Sequence, residues 1–164
     1  MKLVTAIANK FYISHKIISG TEAYLKLKGE IGKEGLVLWA GKRAQESSII
    51  TTMFVGGSEW GEGVSLEQND LIRLVTKLSR HSLTLLAQVH SHPNQVEHST
   101  GDERHPVSFH IGYISIVVWN YCLSGMELSK NCYIYEYQGK LWWRKLPVKE
   151  IQKRFIILPL EIRI

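Results

Sequence analysis

Apolar and polar positions along the chain follow two periods. Ile13, Ile17, Gly20, Tyr24, Leu27 and Ile31 recur three or four residues apart. That is the spacing of one helical face, and it predicts a first helix from Ser14 to Glu30. Short apolar runs, rich in β-branched residues, predict strands at Gly35–Ala40 and Ile49–Val55. Leu71, Leu74, Val75 and Leu78 make the apolar stripe of a second helix, with Arg73, Lys77 and Arg80 on its wet side. Ser65 and Gln68 read as an S-x-x-Q capping box that opens it. A strand at Leu83–Val89, a loop and a strand at Gly112–Trp119 follow. A hairpin of Cys132–Tyr137 and Lys140–Lys145 is expected to turn at Gln138-Gly139. A helical turn at Val148–Arg154 and a last strand at Phe155–Leu158 complete the pattern. Helices and strands alternate around a mixed sheet, so the expectation is one α/β domain over residues 1–164.

Composition narrows the class. At 164 residues, 45% hydrophobic and 21% charged, the chain is long enough for a core and ordinary for a globular protein. Cys122 and Cys132 form neither a C-x-x-C site nor a disulfide framework, and read as small core residues. Met1 to Phe11 lacks the apolar run of a signal peptide. No stretch approaches the roughly 18 apolar residues of a membrane span. A cytoplasmic protein with no membrane partner is expected.

The net charge is +5, and it sits at one end. From Lys140 onward there are seven Lys or Arg and two acids, so the rest of the chain is balanced. No nucleic-acid motif accompanies these cations. A solvated basic face is therefore favoured over nucleic-acid binding. Trp142 and Trp143 are adjacent, so at most one of them faces the core. The glycine-rich run Gly56-Gly57-Ser58-Glu59-Trp60-Gly61-Glu62-Gly63 lacks the Lys-Ser/Thr ending of a phosphate loop, which argues against nucleotide binding.

The chemistry lies between Val89 and Asp102. The chain reads Val89-His90-Ser91-His92-Pro93, then Ser99-Thr100-Gly101-Asp102. Residues two apart on a strand share a face, so His90 and His92 point the same way at the strand's end. Pro93 stops the pairing, and the following loop can fold back to supply Asp102. Two imidazoles and a carboxylate are a common catalytic zinc set, with a fourth position left for water. No H-E-x-x-H helix is present. There is no H-x-E followed by P-C-x-x-C, so a nucleobase deaminase is excluded. His98, His105 and His110 read as loop or surface residues, and His98 or His105 is the rival of Asp102 as third ligand.

This arrangement resembles the JAMM motif, E…H-x-H-P…S-x-x-D, of the JAB/MPN metallopeptidases, in its bacterial stand-alone form. The flanking strands Leu85–His90 and Gly112–Val118 resemble those of the same group, and the similarity extends over nearly the whole chain. The motif's upstream glutamate falls on Glu34, which opens Glu34-Gly35-Leu36-Val37-Leu38-Trp39. Glu30 is the nearest rival. The chain departs from the eukaryotic pattern in three places. Nine residues separate His92 from Asp102, one fewer than in the eukaryotic isopeptidases. His98 stands where many members have Pro, and Val37 where the eukaryotic pattern has Gly.

The resemblance implies a cytidine-deaminase-like layered fold with a mixed sheet flanked by helices. It implies one Zn2+ held by His90, His92 and Asp102, with Glu34 as general base and acid. Ser99 would donate a hydrogen bond to the developing oxyanion. It also implies hydrolysis after the C-terminal Gly-Gly of a ubiquitin-like protein, in maturation or removal from a target lysine. Bacterial members of this type accompany ubiquitin-activating-type and conjugating-type enzymes, some in anti-phage systems. Trimming of a sulfur-carrier protein and a non-catalytic MPN scaffold are the alternatives.

Overall fold

The computed structural model describes residues 9–55, 58–60, 63–65 and 67–159. The chain opens with β1 (Lys10–Ser14) and runs straight into α1 (His15–Glu30). Next come β2 (Leu36–Arg43), β3 (Ser47–Val55) and a small hairpin of β4 (Ser58–Trp60) and β5 (Gly63–Ser65). Helix α2 (Gln68–Arg80) precedes β6 (Thr84–Ser91) and the short α3 (Thr100–Arg104). β7 (Ile114–Val118), β8 (Cys132–Gly139), β9 (Trp142–Lys145), α4 (Val148–Arg154) and β10 (Phe155–Leu158) complete the order. Eight strands form one mixed sheet in the order β10-β1-β3-β2-β6-β7-β8-β9. It is an α/β structure with helices against both faces of the sheet. Among the described residues no helix is long and apolar enough to cross a membrane.

The pleat sorts the side chains. Val37 of β2, Val89 of β6, Ile116 of β7 and Ile134 of β8 are register partners in turn. All are fully buried, and they pack with Leu25 and Ile17 of α1 in the main core. The residues between them face the other way. Leu36 and Leu38 meet Leu74 of α2, while Val117, Tyr135, Tyr137 and Trp143 form an aromatic cluster under the segment that follows β6. Since Leu36 pairs with His90, this second face is the one that His90 shares.

Several expectations need correction. The buried face of α1 is Ile17, Thr21, Leu25 and Gly29, whereas Leu27 and Ile31 are 62% and 64% exposed. The apolar period was real but rotated, because small Thr21 and Gly29 sit where the helix lies nearest its neighbours. Helix α2 starts at Gln68 with Glu67 as N-cap and no side-chain cap bond, and Ser65 belongs to β5. Of its stripe, Leu74 is buried while Leu71 and Val75 are exposed. The β8–β9 turn falls on Lys140 and Leu141, both at positive φ. Gly139 instead sits at a register shift. β1 was not foreseen. The expected α4 and β10 occur at the expected bounds. Of the glycine-rich run, Gly56, Gly57, Gly61 and Glu62 lie outside the described residues.

Smaller expectations hold. Cys122 and Cys132 are buried and free, and burial pushes the Cys122 thiol up to about 12, which makes it a poor nucleophile. Trp143 is buried and Trp142 exposed. Three cations of the basic segment are paired within the chain. Arg144 and Arg154 both meet Glu136 and Glu150, and Lys145 meets Glu97.

Candidate metal centre

Strand β6 carries His90 on its last turn of pleat, and His92 follows just past its end. Their rings lie edge to face with centroids 4.8 Å apart. The residue between them has a separate task. Ser91 is fully buried on the α1 side of the sheet, and its Oγ accepts the Gly35 N–H at 3.0 Å. The Ser91 N–H in turn donates to the Gly35 carbonyl at 3.2 Å. This reciprocal pair extends the β2–β6 ladder beyond Leu36 and His90, and so sets Glu34 opposite His92. Gly35 is glycine for a packing reason: a Cβ there would come within 2.8 Å of Leu25 Cδ2 on α1. The negative charge of Glu34 is felt at His92, where it favours the protonated ring.

Asp102 arrives on a helix rather than on a loop. Ser99 is the N-cap of α3, and a capping box closes it. Ser99 Oγ accepts from the Asp102 N–H at 3.1 Å, and Asp102 Oδ2 accepts from the Ser99 N–H at 2.7 Å. The S-x-x-D spacing thus folds the turn that aims the carboxylate. Asp102 Oδ1 lies 3.3 Å from His90 Nε2, and Oδ2 lies 3.3 Å from His92 Nε2. One ligand atom from each of the three residues falls within 4.8 Å of the others. Ser99 Oγ, already an acceptor, keeps its own proton to donate.

The donor set fits a metal ion. Among the described residues, His90 Nε2 is buried and has no hydrogen-bond partner, although the carboxylate is near. A buried nitrogen left in that state is costly, and a cation between the three groups would satisfy it. His92 Nδ1 lies 3.3 Å from the Val96 carbonyl. A bond donated there leaves the Nε2 lone pair free for a metal. Burial works against the charge of Asp102, yet the two imidazoles and the Ser99 amide hold its carboxyl far below the usual range. Burial also opposes charge on His92, but Asp102 and then Glu34 outweigh it and raise its pKa. The result is a carboxylate kept ionised beside two imidazole nitrogens that share its direction.

The remaining histidines divide. His98 lies on the loop between β6 and α3, as expected, but it is packed rather than free at the surface. Its ring stacks on Tyr135, centroids 4.0 Å apart and 5° from parallel, and meets the edge of Trp143. Its Nε2 lies 2.8 Å from Ser115 Oγ, which Gln88 also contacts, so a buried polar chain runs behind His90. Burial first, then His90, lowers the pKa of His98 to about 3, so it stands neutral. His105 is exposed and caps the end of α3, while His110 bonds Ser108. Among the described residues neither His98 nor His105 joins the metal-ligand cluster. The supporting roles of Ser91, Val96, His98 and Ser115 had no signal in the sequence beyond the Ser between the two histidines.

No protein-family model matches the chain. In fold it is similar to protein DSY2949 from Desulfitobacterium hafniense, whose structure was solved in solution. The TM-score is 0.67 over 92% of this chain and 94% of that one, at 15% identity. In sequence it is 31% identical over 135 residues to the probable metalloprotease y4jG of Sinorhizobium fredii, across 79% of this chain and 83% of that protein. With a cluster of metal-ligand type at the end of β6 and a relative this close over most of its length, the chain belongs to the metalloprotease family of y4jG.

Proposed function

We propose that the protein is a zinc-dependent peptidase of the JAMM type, with the layered JAB/MPN fold, acting in the cytoplasm. Its substrate is the amide bond after the C-terminal Gly-Gly of a ubiquitin-like protein. The observation that carries the reading is the convergence of His90, His92 and Asp102, with Glu34 brought opposite His92 by the Ser91–Gly35 pair. His90, His92 and Asp102 would hold the zinc, a set of three that leaves a position open. When bound, zinc lowers the pKa of a coordinated water and polarises the scissile carbonyl.

The chain's own groups do the rest. The Glu34 carboxylate takes a proton from the attacking water as its oxygen bonds to the carbonyl carbon. It then delivers that proton to the amine nitrogen as the C–N bond breaks. Ser99 Oγ donates to the oxygen that gains charge. Asp102 stays ionised throughout, held so by its surroundings, and serves as ligand rather than base.

A protein substrate suits the surface near the site. Helix α2 covers Leu36 and Leu38 on the same face as His90, and it leaves Leu71, Ile72 and Val75 exposed. Such a stripe offers an apolar seat for the body of a folded modifier. Selectivity for the tail comes from closeness: Gly-Gly allows backbone to approach where side chains would collide. The partners are the modifier, its conjugates, and the activating-type and conjugating-type enzymes that make them.

The test is steady-state cleavage of a ubiquitin-like protein fused through its tail, with and without a chelator. Chelation is expected to abolish cleavage, and added zinc to restore it. Replacing the penultimate Gly of the tail by Val is expected to lower kcat/KM at least about tenfold, roughly 1.4 kcal/mol. Equal rates for the two tails would refute the substrate assignment, and chelator-resistant cleavage would refute the zinc.

A further inference from the structure

The His92 backbone is held from behind by a strained turn. Asn120, Tyr121 and Cys122 follow β7 with φ of 52°, 55° and 63°, three consecutive left-handed residues and none of them glycine. Tyr121 and Cys122 each cost about 1–2 kcal/mol against the right-handed form, and Asn120 less, so the surroundings must fix the turn. Its amides show what it serves. The Tyr121 N–H donates to the His92 carbonyl at 2.8 Å, and the Asn120 N–H donates to the Asn94 carbonyl at 2.8 Å. The His92 N–H donates to the Val118 carbonyl at 3.0 Å. Both sides of the His92 peptide, and the chain just past Pro93, thus hang from the end of β7 and this turn.

The turn is gripped by α1. Gly29 lies against it so closely that a Cβ there would stand 2.4 Å from the Tyr121 carbonyl oxygen and 2.7 Å from Tyr121 Cβ. Two helical turns earlier on the same face, Glu22 Oε2 accepts the Met126 N–H at 3.0 Å, and Gly125 before it has φ of +89°. A glycine inside a helix costs about 1 kcal/mol relative to alanine. Here it allows a helix on one face of the sheet to press on the turn whose Tyr121 amide holds the His92 carbonyl, while the His92 ring points to the other face.

We propose that Gly29 is a positioning residue for the metal centre, acting through the left-handed turn at Asn120–Cys122 on the backbone of His92. The inference rests on the reading of His90, His92 and Asp102 as the metal ligands. A side chain at position 29 pushes the Tyr121 peptide away from α1, and the bond from Tyr121 to the His92 carbonyl transmits the shift. Outer partners of metal ligands typically influence affinity by about 10–100-fold.

Gly29→Ala is therefore expected to weaken zinc binding at least about tenfold, read by competition with a chromophoric chelator. The amide exchange of Tyr121 in the zinc-free protein is expected to speed up, and that form is expected to stay folded with its thermal midpoint lowered by only a few degrees. Gly20→Ala, in the same helix, is the control. Its Cβ would meet only the flexible Met53 thioether, and zinc affinity is expected to be unchanged. Wild-type affinity in Gly29→Ala overturns the proposal while leaving the metal centre intact, as does failure of the zinc-free variant to fold, which would make Gly29 a residue of the fold at large. Absence of zinc binding by the wild-type chain overturns the metal centre itself, and this inference with it.

Discussion

Replacing Glu34 by Gln separates the proposed base from the ligand set. Gln keeps the shape of the side chain and removes only the charge and the capacity to take a proton. Glu34 stands opposite His92, two residues beyond the Leu36–His90 pair, half-buried at the edge of the site. Its backbone is anchored through Gly35 to Ser91, so the exchange leaves the strand where it is. General acid–base help contributes about a hundred- to ten-thousand-fold, which corresponds to roughly 3–5 kcal/mol of barrier. The expected loss in kcat lies in that range. Zinc should stay bound, because none of its three ligands changes. Removing the negative charge also makes His92 less basic, since Glu34 is one of the groups that raises its pKa, and protons then compete less for the ring. The assay is kcat on the Gly-Gly fusion beside elemental analysis of the same sample. Glu30→Gln, at the exposed end of α1, should behave as wild type. Near-normal turnover by zinc-loaded Glu34→Gln would show that the proton goes elsewhere.

Two further outcomes are expected. Ser99→Ala removes the proposed oxyanion donor and should lower kcat about a hundred- to a thousandfold. It should also cost about 1 kcal/mol of stability, because its Oγ caps α3; a melting shift with kcat intact would reduce Ser99 to the structural role alone. On the acid side, the Arg144 bond first, against burial and with help from Arg154, lowers the Glu150 pKa from 4.5 to about 2. A depressed carboxylate stabilises the fold above its unfolded pKa and loses that contribution as pH falls through the folded one. The wild type should lose more urea resistance than Glu150→Gln between about pH 5 and about pH 3, modestly because the pair is partly solvated; equal losses would refute the assignment.

The convergence of His90, His92 and Asp102 was legible because its spacing is geometry: His90 and His92 alternate on a strand, and S-x-x-D is both a helix cap and a way of aiming a carboxylate. The helix itself was missed, since five residues leave no period to read. Packing by small residues was hidden as well. Leu27 and Ile31 carried the apolar period of α1, yet Thr21 and Gly29 make its closest approaches, Thr21 by accepting the buried Trp39 indole N–H. Glycine misled once, at Gly139, where a register shift took the conformational freedom and Lys140-Leu141 made the turn. The left-handed run at Asn120–Cys122 left no trace, because only Asn120 has a local preference for that region and Tyr121 and Cys122 have none. Strand β1 is five residues long and flows into a helix, so no boundary marks it.

The stacking of His98 on Tyr135 and Trp143 has a consequence for the order of events during synthesis. The segment that bears Asp102 lies on β8 and β9: His98 against Tyr135, and the Glu103 carbonyl accepting the Trp143 indole N–H at 3.2 Å. Those strands leave the ribosome some thirty to forty residues after Asp102 does. A nascent chain that has made its two histidines and its aspartate still lacks the floor on which the aspartate is set. It can pair β2 with β6, but it cannot hold His90, His92 and Asp102 together. Assembly of the candidate metal centre is thereby deferred until the chain is nearly finished, so the ability to take up a metal tracks completion of the sheet.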